Sequence, residues 1–332
     1  MKSEETWTSG RLLGVSGNYW SACALHAGVQ LGAFSAIADK TVSAAAAARR
    51  IGADPRALAL LLDALSAMKL LKKTRAGYAN TPAARRWLAQ DSQQYMGHII
   101  LHHHHLMGAW ARLEQSVRSG RPLRQRMTRE GPAQRQSFLL GMFNIASNLG
   151  PLIVPQLGLE GRCHILDLGG GPGTYSILMC RRFPGLRATV YDLPTTRPFA
   201  EKKIAESKLS GRIDFVPGDF VHDDIPGRYD AVWLSHILHG EGPEACRRII
   251  AKAVAALEPG GMILVHEFLL NDGKDGPLHP ALFSLNMLLG TSQGRSYSEA
   301  EIREMLAAAG VRKMRRLPLP GAAVSGVIAG IV

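Results

Sequence analysis

The sequence predicts an α/β fold, in which a Rossmann-like sheet of seven mostly parallel strands with an antiparallel terminal hairpin follows a mainly helical domain. Three observations support this fold class. Apolar residues at 165–168 run into a glycine-rich turn and a helix that starts near Thr174. Strand-like and helix-like patterns then alternate regularly toward the C-terminus, as they do in βαβ units. The first part of the chain instead carries the 3.6-residue periodicity of helices.

The N-terminal part has the pattern of a winged helix-turn-helix. Asp54-Pro55 is a typical helix cap and first turn, and the leucines that follow it share one helical face. The predicted elements are, in order, one or two buried helices over 12–38, a helix over 41–50, a break at Gly52, a helix from Asp54, a hairpin over 70–80 that bends at Gly77, and a helix from Thr81-Pro82. A module of this kind either binds DNA or mediates dimerisation.

One long helix is predicted over 95–119, and it contains four consecutive histidines at 102–105. At 3.6 residues per turn, one face combines the second of these histidines with an apolar stripe at positions 99, 106, 110, 113 and 117. His98, His102 and His105 share a flank, but the flank offers no carboxylate, so we predict no metal site. His102 and His105 are instead expected to line a substrate pocket or a dimer contact.

The sheet domain is predicted to begin after a further amphipathic helix pattern at 134–149, which leads through Pro151 and Pro155. The predicted parallel strands lie near 163–168, 187–191, 212–216, 229–234 and 261–266. Two last strands are predicted to form a terminal hairpin at the sheet edge, over 312–317 and 323–331, with Pro318, Pro320 and Gly321 between them. We find no apolar run long enough to span a bilayer and expect no membrane partner.

The spacing of the glycines after the first strand indicates which ligand the turn holds. Gly169, Gly171 and Gly173 are evenly spaced, whereas a dinucleotide fingerprint has the pattern G-x-G-x-x-G. Asp167 stands two residues before the first of them. A carboxylate there would repel a pyrophosphate but would accept a hydrogen bond from an ammonium group. These four residues therefore predict S-adenosyl-L-methionine, a cofactor with an amino-acid end and no phosphate.

Further predicted cofactor contacts follow the next strands. Asp192 ends the second strand, where an acid accepts hydrogen bonds from both ribose hydroxyls, and Leu193 could cover the adenine. Asp219 follows the third strand and is placed to accept from the adenine amino group, while Phe220 stacks on the ring. Ser235, at the end of the fourth strand, completes the predicted set. For each Asp alone, a turn cap is the alternative.

Two candidate catalytic residues are expected at the same edge of the sheet. His239 follows the fourth predicted strand and Glu267 ends the fifth, so the two should be neighbours. Glu267 could then hold the imidazole in the tautomer whose other nitrogen acts as a base on a phenol. His236 is the second candidate base, whereas His266 is expected to face into the sheet layers. The pair Asp223-Asp224 is most simply a solvated turn.

Together these motifs resemble class I S-adenosylmethionine-dependent O-methyltransferases of the plant phenolic and bacterial polyketide type, which have an N-terminal winged-helix dimerisation domain. The resemblance is carried by D-L-G-G-G-P-G-T at 167–174, V-Y-D-L-P at 190–194, P-G-D-F at 217–220, I-L-H at 237–239, L-E-P-G-G at 257–261 and A-A-A-G-V at 307–311. It implies a domain-entwined homodimer with its active site between the two domains. It also implies a general base at His239 and a flanking acid at Glu267.

The chain departs from the family pattern at two places. The family commonly follows its histidine with Asp and Trp, where this chain has Gly240 and Glu241, and a second flanking acid is replaced near Ser296. A second interpretation therefore stays open, in which the enzyme catalyses the reaction by placing the substrate beside the methyl group, without a general base. Segment 283–288 is similar to the family's substrate-contacting helix. The predicted substrate contacts are Met142, Phe143, His102, His105, Asn286 and Met287.

The formal charge of +12 over 332 residues allows a nucleic-acid partner, an acidic substrate or simply a basic surface. The predicted recognition helix offers only Arg56 and Lys69 as cations, and no aromatic residues interleave with the basic runs, so we expect no nucleic-acid partner. The cysteines lack C-x-x-C spacing, which predicts neither a disulfide frame nor a zinc site and fits a cytoplasmic protein. They are Cys23, Cys163, Cys180 and Cys246.

The sequence thus predicts a winged-helix dimerisation domain at 1–92, a helical linker with substrate-pocket helices at 93–160, and an S-adenosylmethionine-binding domain at 161–332. The predicted activity is methyl transfer to a hydroxyl of a small aromatic or polycyclic molecule. Two alternatives are kept: methylation at carbon on a tetrapyrrole-like ring, and a winged-helix DNA-binding sensor of small molecules.

Overall fold

The computed structural model describes residues 6–124, 131–319 and 325–332. The chain separates into two compact units, Met1–Leu106 and Met107–Val332. The predicted linker at 93–160 falls across the boundary between these units. Residues 320–324 lie outside the described residues; they include part of the predicted terminal turn and the first two positions of the predicted last strand.

The N-terminal unit consists of short helices and one small hairpin. Its elements are α1 (Ser9–Gly17), α2 (Tyr19–Gln30), α3 (Ala33–Ile37), α4 (Ala44–Ile51), α5 (Pro55–Ala67), β1 (Leu71–Thr74), β2 (Gly77–Asn80), α6 (Pro82–Leu88) and the start of α7 (Gly97–Trp110). Ser43, Asp54 and Thr81 each cap a helix by accepting a hydrogen bond from the backbone N–H three residues later. The predicted hairpin and the helices around it are confirmed, with Thr74 opposite Gly77 at the bend.

Helix α1 differs from the prediction that the segment 12–38 is buried. Helices α2 and α3 do contribute Val29 and Phe34 to the core of this unit. Helix α1, however, buries no residue, and Leu13 is 74% exposed. Because apolar side chains gain free energy by leaving water, an exposed apolar face has the character of a contact surface.

The predicted long helix over 95–119 is in fact two helices, α7 and α8 (Leu113–Ser119). Arg112 between them leaves the helical conformation, with φ of −124° and ψ of 26°. The buried face of α7 also differs from the prediction, because His102 is buried whereas His103 is exposed, and Val117 on α8 is exposed as well. The predicted apolar stripe through positions 103 and 117 is therefore wrong.

Helix α9 (Pro132–Ile153) is longer than predicted and includes Pro151. Its extended span, Pro132–Gln156, is long and apolar enough to cross a membrane by length and composition. The expectation that no apolar run reaches this length is thus wrong. The core helix of a soluble protein meets the same criterion, and Ala146 and Ile153 belong to the buried core of the C-terminal unit.

A seven-stranded sheet organises the described part of the C-terminal unit. The remaining elements are β3 (His164–Leu168), α10 (Thr174–Arg182), β4 (Arg187–Asp192), α11 (Arg197–Glu206), β5 (Ile213–Pro217), β6 (Tyr229–Ser235), α12 (Pro243–Ala255), β7 (Leu257–Glu267), β8 (Leu269–Leu270), α13 (Leu278–Gly290), β9 (Tyr297–Ser298), α14 (Glu299–Ala308), β10 (Arg312–Leu317) and β11 (Gly326–Ile331). The sheet order is β10-β11-β7-β6-β3-β4-β5, and the pairings from β7 to β5 are parallel. Strand β11 is antiparallel to β7 and to β10, which confirms the terminal hairpin.

The strand order places the ligand-binding edge. The chain runs from β3 outward to β5 and then returns to β6 on the other side of β3, so the direction of winding reverses between β3 and β6. Open α/β sheets bind ligands beyond the carboxyl ends of the strands at such a point. We refer to this edge as the carboxyl edge.

The central strands are apolar on both faces, as expected for a sheet covered by helices on each side. Ile165 and Trp233 belong to the core on one face, whereas Leu166 and Leu234 belong to the core on the other. In such an environment a buried polar side chain is informative, because its burial costs free energy unless it is hydrogen-bonded. The buried polar residues near the strand ends therefore mark the candidate site.

Candidate active site

The loop between β3 and α10 is built from glycines that other residues could not replace without strain. Gly169, Gly171 and Gly173 have φ values of 68°, 55° and 72°. A Cβ on Gly170 would lie 2.6 Å from the carboxyl carbon of Asp167. At Gly171, in contrast, no atom of the described residues other than the glycine and its two chain neighbours lies within 4 Å of the Cβ position. The loop therefore has one open side at which a ligand can approach the backbone.

Asp167 lies at this loop in a buried position. It is 2% exposed and accepts a hydrogen bond from Oγ of Ser176 at 2.7 Å. Burial raises the pKa of the Asp167 carboxyl to about 6, although the hydrogen bonds from Ser176 counteract it. The nearby hydroxyl of Thr174 is buried without a hydrogen-bond partner among the described residues. Both groups fit a polar ligand with a cationic end, as S-adenosylmethionine has.

Asp192 at the end of β4 holds the glycine loop. Its Oδ2 accepts from the N–H of Gly171 at 2.8 Å, and its Oδ1 accepts from the N–H of Leu193 at 2.7 Å and from Oγ1 of Thr196 at 2.9 Å. Burial raises the pKa of this carboxyl, and the three hydrogen bonds counteract the rise. A carboxylate has about four acceptor positions, so capacity for a ligand hydroxyl remains. The structure thus brings Asp192 and the loop together.

Asp219 caps its own turn after β5. Its Oδ1 accepts from the N–H of Val221 at 2.9 Å, and its own N–H donates to Oδ2 of the exposed Asp223 at 2.8 Å. Phe220 reaches the first loop, since its Cε1 lies 3.1 Å from where a Cβ of Gly169 would be. The alternative of a turn cap therefore describes what Asp219 does here, and its contact with adenine stays a prediction.

Ser235 ends β6 within a network of buried polar groups. Its Oγ lies 3.0 Å from Nδ1 of His266, whose Nε2 lies 2.8 Å from Oγ of Ser325. His266 is fully buried, and burial lowers its pKa well below the ordinary value, so the ring is neutral. The prediction that His266 faces into the sheet layers is confirmed. A cofactor contact of Ser235 stays a prediction.

His239 and Glu267 meet at the carboxyl edge because β6 and β7 are parallel neighbours. His239 lies in a short 3₁₀ turn after β6, and its Nδ1 is 2.7 Å from Oε2 of Glu267. Oε1 of the same carboxylate accepts from the backbone N–H groups of Leu238 and His239, at 2.9 and 3.3 Å. One carboxylate thus fixes both the turn and the ring that the turn presents.

Glu267 remains ionised although it is only 1% exposed. Burial alone would raise the pKa of this carboxyl, but the His239 and His236 imidazoles more than offset that effect and hold the pKa well below its ordinary value. A carboxylate facing Nδ1 favours the tautomer that carries its proton there, which leaves Nε2 with a free electron pair. The arrangement can therefore accept a proton at Nε2 of His239.

His236 shares the carboxylate of Glu267 at longer range. Its Nδ1 lies 3.5 Å from Oε2, which is too long for a well-formed hydrogen bond. Its φ of +57° is uncommon for a residue other than glycine and is typical of strained functional sites. His236, His239 and Glu267 each offer one metal-ligand atom, and the three atoms lie within 4.8 Å of one another. This is the only such group found in the described part of the chain. The run at 102–105 contributes to no such group there.

Aromatic rings surround His239 on one side. The ring centroid of Phe283 lies 4.8 Å from that of His239, and Phe268 lies 4.7 Å from Phe283. His279 in turn lies 4.8 Å from Phe268. We call Phe268, His279 and Phe283 the aromatic cluster, whose flat apolar faces suit a planar ligand. Sequence reasoning missed two of its members, although Phe268 follows Glu267 directly and could have been inferred from that position.

Asn286, predicted to contact substrate, is buried on α13 in a polar junction. Its Oδ1 accepts from Nε1 of Trp110 at 3.3 Å and from Nη2 of Arg124 at 3.4 Å. Nη2 of Arg124 also donates to the backbone oxygen of Asn286 at 3.2 Å. Met287 beside it is buried as well. Sequence reasoning did not identify Trp110 or Arg124, because no local pattern signals a contact across more than 160 positions.

Two further predicted substrate residues, Met142 and Phe143, lie on α9. Phe143 lies under the ammonium group of Lys203 on α11, at 4.7 Å from its ring centroid, and Met142 is half-buried. His102 and His105 belong to the N-terminal unit. For these four residues a substrate contact stays a prediction.

The two departures from the family pattern are both packed into the fold. Glu241 is 8% exposed, and its carbonyl oxygen accepts from the hydroxyl of Tyr297 at 2.6 Å. Ser296 is 1% exposed and donates from Oγ to the carbonyl oxygen of Pro280 at 2.9 Å. Ser296 therefore braces the start of α13, where a family acid would supply a charge.

Comparisons with known proteins identify the family. Residues 111–312 match the family model of the O-methyltransferase domain, and residues 13–90 match that of the O-methyltransferase dimerisation domain. The chain is 34% identical to 3-hydroxy-5-methyl-1-naphthoate 3-O-methyltransferase of Streptomyces sahachiroi, with 94% of this chain and 92% of that protein covered. It is 32% identical to the tetracenomycin polyketide synthesis 8-O-methyl transferase of Streptomyces glaucescens, with 94% of each covered.

A solved structure leads to the same family. Human N-acetylserotonin methyltransferase, determined in complex with S-adenosylmethionine, has a TM-score of 0.87 to this chain at 27% identity, over 100% of this chain and 99% of that one. The predicted fold class, with a mostly parallel sheet behind a helical dimerisation domain, is confirmed. The predicted cofactor and enzyme class are confirmed as well. The chain belongs to the S-adenosylmethionine-dependent O-methyltransferase family.

Proposed function

We propose that the protein methylates a hydroxyl group of a small aromatic or polycyclic molecule, with His239 as general base. The observation that carries the proposal is the 2.7 Å contact between Nδ1 of His239 and the buried Glu267 carboxylate, at the same carboxyl edge as the glycine loop. A carboxylate on one ring nitrogen leaves the other nitrogen able to take a proton. Glu267 is thus a positioning residue for the base.

Bound S-adenosylmethionine supplies an electrophilic methyl group. The cationic amino-acid end fits beside Asp167, because a neighbouring ammonium group favours the ionised form of a carboxyl whose pKa burial raises. Asp192 has acceptor capacity left for ribose hydroxyls. The remaining proposed cofactor contacts are Gly169, Gly171, Gly173, Leu193, Asp219, Phe220 and Ser235.

His239 acts on the proton of the acceptor. Its Nε2 accepts the proton of the hydroxyl group, and the ionised Glu267 stabilises the imidazolium that results. The oxygen thereby gains the electron density that it needs as a nucleophile. General-base catalysis of this kind contributes about a hundredfold to ten-thousandfold in rate, and alignment of the acceptor contributes as well.

The aromatic cluster supports a flat acceptor beside His239. One similar protein is named for a hydroxynaphthoate substrate, and another is named for tetracenomycin polyketide synthesis. We therefore propose fused aromatic rings with a free hydroxyl group as the acceptor class. Methylation at a ring carbon is the alternative.

Product analysis tests the proposal and its alternative together. The protein would be incubated with naphthols, hydroxynaphthoates and polycyclic phenols, each with S-adenosylmethionine carrying a ¹³C-labelled methyl group. Mass spectrometry should show the gain of one methyl group, and NMR should show a methoxy carbon. A carbon-bound methyl signal would support the alternative, and cofactor binding without any transfer to this panel would contradict the proposed acceptor class.

We further propose that two chains pair through the N-terminal unit, which matches a dimerisation domain. Large apolar side chains near its start are between 57% and 74% exposed: Trp7, Leu12, Leu13, Tyr19 and Trp20. Pairing would remove this surface from water. Light scattering should give twice the chain mass of 35.9 kDa, and the double variant Leu13→Glu and Trp20→Glu should be monomeric. A monomeric wild type would contradict the proposal.

A further inference from the structure

Helix α13 presents a line of residues that begins beside the proposed base. Phe283, Asn286 and Gly290 follow one another at intervals of three and four, so they share one face of the helix. The ring of Phe283 lies 4.8 Å from that of His239. Gly290 is seven residues further, which is about 10 Å along the axis at a rise of about 1.5 Å per residue. The face therefore leads from His239 to Gly290.

Arg124 occupies the far end of this face. A Cβ on Gly290 would lie 2.5 Å from Cζ and Nη1 of Arg124 and 2.6 Å from Nη2, so the guanidinium packs directly against this glycine. The segment is tied to α13, because the backbone N–H groups of Leu123 and Arg124 donate to the carbonyl oxygen of Leu289 at 3.0 and 3.2 Å. The half-buried guanidinium is thus seated on the helix.

Asn286 connects this cation with the rest of the face. Nε1 of Trp110 and Nη2 of Arg124 both donate to Oδ1 of Asn286, at 3.3 and 3.4 Å. Two donors on the oxygen fix the orientation of the amide, so its NH₂ group points away from both. Two kinds of donor, an amide and a guanidinium, therefore lie along the helix from His239.

We propose that Arg124, assisted by Asn286, binds an anionic group on the acceptor, and that the preferred substrate is a hydroxylated aromatic acid. The inference rests on the proposed methyl transfer and names its substrate class. A guanidinium stays protonated at all physiological pH values, and its planar fork matches the geometry of a carboxylate. The acid group would bind at the Gly290 end of the face while the hydroxyl group meets His239. The formal charge of +12 favours such a substrate over a cationic one.

The test compares 3-hydroxy-1-naphthoate with its neutral amide, which has nearly the same shape. Wild type, Arg124→Gln and the control Arg121→Gln are assayed with both acceptors; Arg121 is exposed, and its variant changes the net charge equally. Wild type and R121Q should prefer the acid by about tenfold to a hundredfold in kcat/KM, as expected for hydrogen bonds between charged groups. R124Q should abolish this preference, mainly through KM. An unchanged ratio in R124Q would overturn the proposal.

Binding without turnover separates this inference from the proposed function. 1-Naphthoate and 1-naphthamide lack the hydroxyl group, and calorimetry in the presence of S-adenosylhomocysteine measures their affinities directly. Naphthoate should bind to wild type at least about tenfold more tightly than to R124Q, whereas naphthamide should not distinguish them. If this holds while no hydroxylated acceptor is methylated, only the proposed function fails. If methylation occurs without a preference for the acid, only the anion site fails.

A third variant distinguishes loss of anion recognition from a folding defect in R124Q. Arg124→Lys keeps the charge but loses the planar fork, so it should retain only part of the preference for the acid. Full preference in R124K would contradict recognition by the fork, and loss of activity toward both acceptors alike would contradict a role confined to the acid group.

Discussion

Asp167 and Glu267 are two carboxyl groups at the carboxyl edge of one sheet, and their surroundings shift their pKa values in opposite directions. They are 2% and 1% exposed, so burial is nearly the same. Asp167 faces the hydroxyl of Ser176 and the charge of Asp192, and burial raises its pKa to about 6. At Glu267 burial acts in the same direction, but two imidazoles outweigh it and hold the pKa well below the ordinary value.

The difference shows that the neighbours of a buried carboxyl, more than its depth, decide its charge. Asp167 needs a cation from outside the protein to become fully ionised at moderate pH, which suits a group that binds a cationic ligand. Glu267 has its cationic partners built in, which suits a group that keeps a base oriented through every turnover. Each of the following changes tests one side of this comparison.

The largest effect is expected for His239→Ala. Turnover of a naphthol acceptor should fall by about a hundredfold to ten-thousandfold, because the proton acceptor is lost, while S-adenosylmethionine affinity should change little. Steady-state kinetics and calorimetry measure the two quantities. His222→Ala removes an exposed histidine and serves as the matched control. Wild-type turnover in H239A would leave catalysis to substrate placement alone.

Glu267→Gln should lower turnover by about tenfold to a hundredfold, because the orientation of the base weakens. It should also destabilise the fold at pH 7 by about 3 kcal/mol, the cost of breaking a buried pair. The folded pKa lies below the unfolded value near 4.5, so the stabilisation exists above that pH and is lost on acidification. Urea unfolding should show the two proteins converging below pH 4.5, and a pH-independent difference would contradict the assignment.

Asp167→Asn should show the opposite dependence on pH. The folded pKa, about 6, exceeds the unfolded value of 3.8, so protonation stabilises the fold at low pH and this contribution is lost as the pH rises through the folded value. Without cofactor, the free energy of unfolding of the variant relative to that of wild type should be about 2 to 3 kcal/mol higher at about pH 8 than at about pH 4. Urea unfolding at both pH values measures the gain. The exposed Asp214→Asn should show none, and an equal difference at both pH values would argue against a raised pKa.

The smallest effect is expected for His236→Asn, since asparagine tolerates the positive φ at this position. The 3.5 Å contact of His236 with Glu267 is weaker than that of His239, so turnover should fall less than about tenfold. The same steady-state assay applies. A loss as large as that of H239A would transfer the role of base to His236.

Much of the fold could be predicted because its signals are local. The five parallel strands, the positive-φ glycines at 169, 171 and 173, and the caps at Asp54 and Thr81 depend on neighbouring residues and appear in their correct places. The pairing of His239 with Glu267 followed from topology, because parallel neighbours end at the same edge.

The parts that were missed depend on contacts between distant segments. The break at Arg112 coincides with no proline or glycine that would predict it, and the burial of His102 rather than His103 depends on the segments that pack against α7. The contact of Arg124 with Asn286 joins segments more than 160 positions apart, and no periodicity encodes such a meeting. Likewise, the pKa shifts of the two buried carboxyls depend on neighbours that only the folded chain supplies.

The central claim is that His239 removes a proton from the acceptor. The most direct measurement is the turnover ratio of wild type to H239A for two naphthols of similar shape, one with a hydroxyl pKa near that of an ordinary phenol, about 10, and one with an electron-withdrawing group that ionises it at the assay pH. We predict a ratio of at least about a hundred for the first and at least about tenfold less for the second, which needs no base. Equal ratios for the two acceptors would contradict the account.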